Sequence, residues 1–405
     1  MARIEAEEAP VIARDKPGLG GNAILHHAET CLEDLSTLLR ELVECESPSD
    51  DAASVNRFQE LLAARCAGLA KPKFTKSGGA YGRNLLLDFH LPGPRRRTPG
   101  RILGVGHADT VWSLGTLRCM PFRRELGRLW GPGVLDMKAG LAFFLYAMKA
   151  LRDLDLPVAR KVSLWVVSDE EVGSKGSRAR TEALAREACA VLVLEPGTGL
   201  EGKLKTARKG VGNYTIAVRG KAAHAGVDFE AGASATVELA RQVARLAEFS
   251  DLKRGLTVNP GVISGGTRTN VVAAEARAEV DIRVVRLRDA EPIDRKFRAL
   301  KPFDKRCSIE VTGGLNRPPM ERTPAGAALF HTARKLAEAR LGRTIEESST
   351  GGGSDGNFTA ALGVPTLDGI GAVGEGAHAA HESILEDRIA DRVALLALLV
   401  RHLGQ

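Results

Sequence analysis

Residues Arg101–Val111 read RILGVGHADTV, an apolar run that ends in a histidine and an aspartate two positions apart. On an extended chain such residues share a face, so His107 and Asp109 project together from the end of a strand. The pattern recurs downstream. Lys161–Val167 (KVSLWVV) runs into Ser168-Asp-Glu-Glu-Val-Gly173, and Ala190–Leu194 (AVLVL) runs into Glu195-Pro-Gly. Between these strands, Lys138–Leu151 (KAGLAFFLYAMKAL) is apolar nearly all round, as a helix packed on a sheet requires. Arg178–Glu187 reads as another helix. Apolar strands alternating with helices predict an α/β fold, a mixed, mostly parallel sheet sandwiched by helices. In such sheets ligands bind outside the carboxyl ends of the strands, which is where these acidic and histidine residues fall.

Outward from this centre, helical periodicity covers about His26–Val43 and Val55–Gly68, and Asn84–His90 (NLLLDFH) reads as a strand. A turn holding Pro94–Arg97 (PRRR) leads from it to RILGV. Residues 1–22 read as a polar, loosely held arm. Near Lys209 the texture changes. Asn213–Val218 and Ala276–Ile282 alternate apolar and polar residues, as in a half-exposed antiparallel sheet. Helices at about Ala233–Ala247 and Glu291–Leu300 and a strand at Ser308–Val311 complete an α+β insert of domain size. Helix returns at Ala325–Ala339 and closes the chain at Glu386–Leu403. The expected division is a catalytic domain in two parts, 1–208 and 319–405, interrupted by an inserted domain at 209–318.

The 405 residues are 44% hydrophobic and 26% charged, the composition of an ordinary globular protein. The longest apolar runs, Leu141–Met148 and Val393–Val400, fall well short of the roughly 18 residues that span a bilayer. No basic start followed by an apolar run opens the chain, so no secretory signal and no membrane association are expected. Six scattered cysteines, with no CxxC pair, point to free thiols in a reducing cytoplasm rather than a thiolate zinc site. The net charge of +7 is a modest excess, and its one basic cluster, PRRR, lacks aromatic interleaving. A nucleic-acid partner is not expected.

Two further segments carry chemistry. In Gly131-Pro-Gly-Val-Leu-Asp-Met-Lys-Ala-Gly140, Asp136 stands where a helix begins, and alone it reads as an N-cap. In Gly376-Ala-His-Ala-Ala-His-Glu382, His378 precedes Glu382 by four residues. The three consecutive carboxylates Asp169, Glu170 and Glu171 repel one another, and need either cations or a solvated loop. Histidines and carboxylates converging on one sheet edge from five segments point to metal. A nitrogen and oxygen donor set without sulfur suits zinc, cobalt or manganese.

These motifs, in this order, resemble the co-catalytic di-zinc amidohydrolases that include glutamate carboxypeptidase, acetylornithine deacetylase, succinyl-diaminopimelate desuccinylase and aminoacylase. The resemblance runs from about residue 30 to the C-terminus. It implies two zinc ions per subunit: His107 and Glu195 on one, Glu171 and His378 on the other, with Asp136 bridging. It implies further that Asp109 orients His107 and that Glu170 is the general base. Lys221-Ala-Ala-His-Ala-Gly226 matches a lid motif whose histidine, here His224, reaches the active site of a neighbouring subunit. The insert would thus be a lid and dimerisation domain, and the protein a homodimer. Asn270 and Arg283 occupy positions that contact a substrate carboxylate in the glutamate carboxypeptidase branch, and the Gly351, Gly352 and Gly353 turn would line it with N–H groups. Lys203 is a weaker match, for a substrate side-chain carboxylate. The implied substrate is an N-acyl amino acid or small peptide.

Other readings compete. Gly351-Gly-Gly-Ser-Asp-Gly356 also fits a dinucleotide loop, though no suitable strand or following acidic residue accompanies it. As a nucleophile elbow it would make Ser354 the nucleophile, with Asp368 and His378 following in hydrolase order. A non-catalytic binding protein on the same fold is a third reading. His224 in a surface turn and Arg283 as a plain strand arginine are the corresponding simpler accounts of those residues.

Overall fold

The computed structural model describes residues 21–405. The first twenty residues of the expected polar arm lie outside this range, and Gly21 opens a helix, Gly21–Thr30. A six-stranded sheet forms the centre, in the order Ala70–Thr75, Asn84–Phe89, Arg160–Val167, Thr98–His107, Ala188–Val193 and Thr366–Leu367. The first two pairings are antiparallel and the remaining three parallel, so the sheet is mixed and mostly parallel.

One face of this sheet packs on the helices Ala139–Asp153, Ile389–Leu403, Gly21–Thr30 and Leu32–Glu44, which share the main hydrophobic core. The other face, with Leu103, Val105, Trp165 and Val193, is covered by Arg178–Arg186 and Gly356–Ala361. Glycines let the central helix close on the sheet. A Cβ at Gly140 would stand 2.0 Å from the Leu194 carbonyl oxygen, and one at Gly104 2.9 Å from the Phe144 ring.

A second sheet, antiparallel, has the order Thr257–Gly265, Glu275–Val284, Gly210–Arg219, Ser308–Arg317. Its two central strands alternate in burial, and their inward residues meet the helices Ala235–Ala247 and Ala290–Arg298 in a separate core where Tyr214 stacks on Phe297 with ring centroids 4.0 Å apart. The edge strand Thr257–Gly265 is not legible in the sequence pattern. Pro260 and Gly261 interrupt it at a bulge, and most of it faces solvent, so no alternation survives.

Two local expectations are corrected. The single periodic stretch His26–Val43 is two helices, Gly21–Thr30 and Leu32–Glu44, parted at Cys31. Asp136 does not open a helix: it has φ −115° and ψ 93°, lies at a cis Asp136–Met137 peptide bond, and precedes the regular helix that starts at Ala139.

Candidate metal centre

The register of the parallel strands builds the site. His107 is the last residue of its strand and sits opposite Val167, so the loop that follows Val167 starts beside it. Val105 pairs with Val193, which brings Glu195 to the same edge two residues later. A small sheet supplies the rest. Ser383–Leu385 pairs with Arg128–Trp130, so the loop holding His378 lies against the loop holding Asp136.

His107, buried, points Nε2 at Asp136 Oδ1 (3.2 Å) and Glu195 Oε1 (3.7 Å). His378 Nε2 lies 3.3 Å from Asp136 Oδ2 and 3.3 Å from Glu171 Oε1. Asp136 thus stands between two imidazoles, one on each oxygen. Metal-ligand atoms of His107, Asp136 and Glu171 fall within 4.8 Å of one another, as do those of His107, Glu170 and Glu195. His378 holds a left-handed backbone, φ 62°, uncommon outside glycine.

The expected role of Asp109 is corrected in its detail. His107 Nδ1 meets the main-chain oxygen of Asp109 at 2.8 Å, while the nearer carboxylate oxygen is 3.6 Å away. A carbonyl only accepts, so Nδ1–H donates there, and Nε2, which donates to Asp136 while protonated, turns a lone pair to a metal once that proton leaves. The Asp109 carboxylate has other donors to satisfy: Oδ1 accepts from Glu170 N (3.1 Å), and Oδ2 from Glu171 N (3.1 Å) and Ser49 Oγ (2.8 Å). It fixes the acidic loop rather than the imidazole. Nor do three carboxylates face the site together. Asp169 is fully buried and turned back, accepting from Gly176 N at 2.6 Å.

Burial and charge shape the ionisation of this cluster. Burial pushes the Glu195 carboxyl up to about 7, with the Asp136 charge adding to it, and pushes Asp109 up to about 6. Burial also drives Glu170 well above the carboxylate range, against the pull of the Arg317 guanidinium. Asp136 goes the other way: burial opposes its charge, but hydrogen bonds from His107 and His378 carry it below the ordinary range. Hydrogen bonds to Asp136 and Glu171 raise His378 to about 10. Carboxylates crowded in a buried edge call for positive charge. Glu171 Oε1 is buried, with no partner beyond the His378 imidazole at 3.3 Å, and is an oxygen placed to ligate. The donor set fits metal.

Sequence reasoning missed the arginines. Arg208, buried, forms a bidentate pair with Asp368 at 2.8 and 2.7 Å, comes within 3.7 Å of Glu195, and donates to the carbonyls of Gly352 and Gly353. Arg317, also buried, grips Glu170. Both stand at the ends of strands, the position that marks the acids and histidines of the site, and that position is the signal that finds them. Glu382, quoted for its spacing from His378, anchors the Asp136 loop: it accepts from the backbone N–H groups of Gly133, Leu135 and Asp136 and from the Trp112 indole.

The remaining candidates lie outside the cluster. His224 is exposed in a turn whose Ala225 N bonds the Asn270 carbonyl, and Asn270 is exposed beside it. Arg283 already has an anion beside it. Its side chain is 32% exposed, pairs with Asp281 through Nε and Nη2 at 2.9 Å each, and reaches across to the Gly351 carbonyl at 3.1 Å. Gly351 and Gly352 are exposed and Gly353 is half-buried. Lys203 is tied to Glu346. Ser354 does not form a triad: fully buried, it donates directly to Asp368 at 2.6 Å, while His378 faces Asp136 and Glu171.

Residues 104–402 match peptidase family M20/M25/M40. The chain is 28% identical over 372 residues to carboxypeptidase G2 of Pseudomonas sp., covering 90% of this chain and 88% of the relative. It is 28% identical over 396 residues to succinyl-diaminopimelate desuccinylase of Rhodospirillum centenum, covering 90% and 95%. Its fold is similar to that of aminopeptidase PepT from Bacillus cereus, with a TM-score of 0.73 at 23% identity over 92% of this chain and 99% of the other. The chain belongs to peptidase family M20/M25/M40 and is a metallopeptidase, hydrolysing amide bonds and releasing amino acids.

Proposed function

We propose that this enzyme uses two zinc ions to release a C-terminal amino acid, glutamate or one like it, from an N-acyl amino acid or small peptide. The observation that carries the reading is the position of Asp136, one oxygen 3.2 Å from His107 Nε2 and the other 3.3 Å from His378 Nε2. A carboxylate shared in this way suits a pair of ions, His107 and Glu195 holding one, Glu171 and His378 the other, with Asp136 common to both. Nitrogen and oxygen donors fit zinc, and cobalt or manganese as substitutes. When bound, such a pair supplies Lewis acidity at the amide carbonyl and makes water a better nucleophile at neutral pH.

Glu170 takes a proton from the attacking water and passes it to the nitrogen of the leaving amine. Arg283, Asn270 and the N–H groups of Gly351–Gly353 hold the α-carboxylate of the amino acid to be released. A guanidinium suits that anion, since it binds carboxylates in a planar fork. The Arg283 to Gly351 hydrogen bond, which joins the second sheet to the glycine turn, supports this grouping.

In our reading residues 209–318 form a lid through which two copies pair, and His224 serves the partner's site. Support comes from the edge strand Thr257–Gly265, where Val262 and Ile263 stand 59% and 57% exposed beside an unpaired backbone. Six free cysteines support a reducing, cytoplasmic setting. No helix among the described residues is long and apolar enough to cross a membrane.

The test is turnover of N-acyl glutamates by zinc-loaded protein, with released amino acids read by mass. Release of glutamate that chelation abolishes and zinc restores is expected. Activity that survives EDTA and falls to a serine-directed phosphonate would overturn the reading. The length of the match to the desuccinylase favours a second reading, deacylation of N-acetyl or N-succinyl amino acids, and including those substrates decides between the two.

A further inference from the structure

Arg317 is the last residue of Ser308–Arg317, the strand by which the chain leaves the second sheet. Its side chain, 6% exposed, enters the metal centre from that side. Nη2 donates to the Glu170 main-chain oxygen (3.0 Å), to Glu170 Oε1 (2.9 Å) and to Ser174 Oγ (2.9 Å). Nη1 donates to Asp355 Oδ1 at 2.6 Å. The guanidinium lies 4.8 Å over the Phe358 ring, and its approach needs Gly353, where a Cβ would stand 2.8 Å from Arg317 Cδ. Next to it, Asn316 Nδ2 donates to Gly173 O at 3.1 Å, and Asn316 O accepts from Arg178.

This is a two-point grip on one residue. A guanidinium bonded to both the carbonyl and the carboxylate of Glu170 leaves that side chain little rotational freedom. It also occupies Oε1 and leaves Oε2 to the site. Freedom would matter here, because Glu170, His107 and Glu195 already have ligand atoms within 4.8 Å of one another. An untethered Glu170 can join His107 and Glu195 as an extra ligand, and a carboxylate bound to metal is a poor proton acceptor.

We propose that Arg317 is a positioning residue that holds Glu170 by its main chain and one carboxylate oxygen, presenting the other oxygen to the reacting water and keeping Glu170 from ligating metal beside His107. The proposal rests on the assignment of Glu170 as base. A role in binding the substrate carboxylate is a distinct claim, and both guanidinium nitrogens nearest the site are already engaged within the chain.

The experiment is a double-mutant cycle on zinc-loaded protein, with R317Q, R317K, E170Q and E170Q/R317Q, alongside visible spectra of the cobalt-loaded forms. A residue acting only through Glu170 cannot cost more than Glu170 itself, about 10²–10⁴-fold in turnover. R317Q is therefore expected to lower kcat by at least about tenfold and by no more than E170Q does. KM should stay within about threefold, with two zinc ions retained per chain, and R317K should fall between R317Q and wild type. In the E170Q background R317Q should change kcat less than about threefold. The cobalt spectrum should change in R317Q and return towards that of E170Q in the double variant, because a freed Glu170 is no longer there to bind. If R317Q fails to fold by circular dichroism, R317K is read through the same cycle. Equal losses in both backgrounds would overturn the proposal, as would loss of zinc. So would a KM effect confined to substrates with a free α-carboxylate. If wild type releases no amino acid, the exopeptidase reading fails separately, and the cobalt spectra still decide whether Arg317 restrains Glu170.

Discussion

Glu382 is 1% exposed and spends its carboxylate on three backbone amides and one indole, which fixes the loop that carries Asp136, a proposed metal ligand. Its Oε1 accepts from Leu135 N (2.9 Å) and Asp136 N (3.1 Å), and its Oε2 from Gly133 N (2.9 Å) and Trp112 Nε1 (2.9 Å). Glu382→Gln keeps one oxygen and turns an NH2 group towards two donors on the other side. Two hydrogen bonds to a charged acceptor, worth about 1.5–3 kcal/mol each, are lost. Part is offset because the carboxylate's own burial, which raises its pKa, no longer has to be borne. A net loss of about 2–4 kcal/mol in the placement of the Gly133–Asp136 loop follows. Since Asp136 sits between both imidazoles, zinc affinity should fall about 10- to 100-fold, as when an outer partner of a ligand is removed. Trp112→Phe removes only one of the four bonds and should cost a fraction of that. The assay is competition for zinc against a chromophoric chelator, with thermal unfolding in parallel. Zinc affinity within about threefold of wild type in Glu382→Gln would refute the reasoning.

Glu170→Gln should retain two zinc ions and lose about 10²–10⁴-fold in turnover, whereas Glu171→Gln should lose metal, and elemental analysis beside kinetics separates them. Arg283→Ala should abolish the preference for an N-acyl glutamate over its α-amide, which in wild type should be at least about 100-fold in kcat/KM; equal wild-type rates on acid and amide would point to an aminopeptidase instead. In chelator-treated protein, hydrogen bonds to Asp136 and Glu171 raise His378 above its unfolded value to about 10, so its contribution to stability is fully present below about pH 6.5 and is lost as pH rises through 10. Zinc needs the neutral imidazole, so the Tm difference between zinc-loaded and stripped protein should widen over that range, and scanning calorimetry at pH 6, 8 and 10 reads it.

The four inner strands of the central sheet were legible because they are largely buried and read as apolar runs, and His107, Glu171 and Glu195 stood out as candidate ligands because each closely follows such a run; Asp136 and His378 follow none, and the edge strand Ala70–Thr75, mostly exposed, carries no apolar pattern. The supports were not. Arg208 belongs to a strand, Leu204–Arg208, whose strand partner is the four-residue Glu347–Thr350, too short and too polar to announce itself. Glu382 acts through backbone N–H groups 246 to 249 residues away, a relation that no local pattern encodes. Asp109 misled for a related reason. Its spacing from His107 is right for a shared face, but a carboxylate goes to its best donors, and those are the amides of a loop folded against it. Nor does the match at Arg283 reveal its neighbour: Asp281, two residues earlier on the same strand face, already supplies an anion.

The most direct test of the account is anomalous diffraction at the zinc edge from crystals of the zinc-loaded protein. Two peaks are expected, one against His107, Glu195 and Asp136 and the other against Glu171, His378 and Asp136, with Glu170 bound to neither. A single peak, or one ligated by Glu170 in place of Asp136, would contradict the claim that Asp136 joins two metals and that Glu170 is left free to carry the proton.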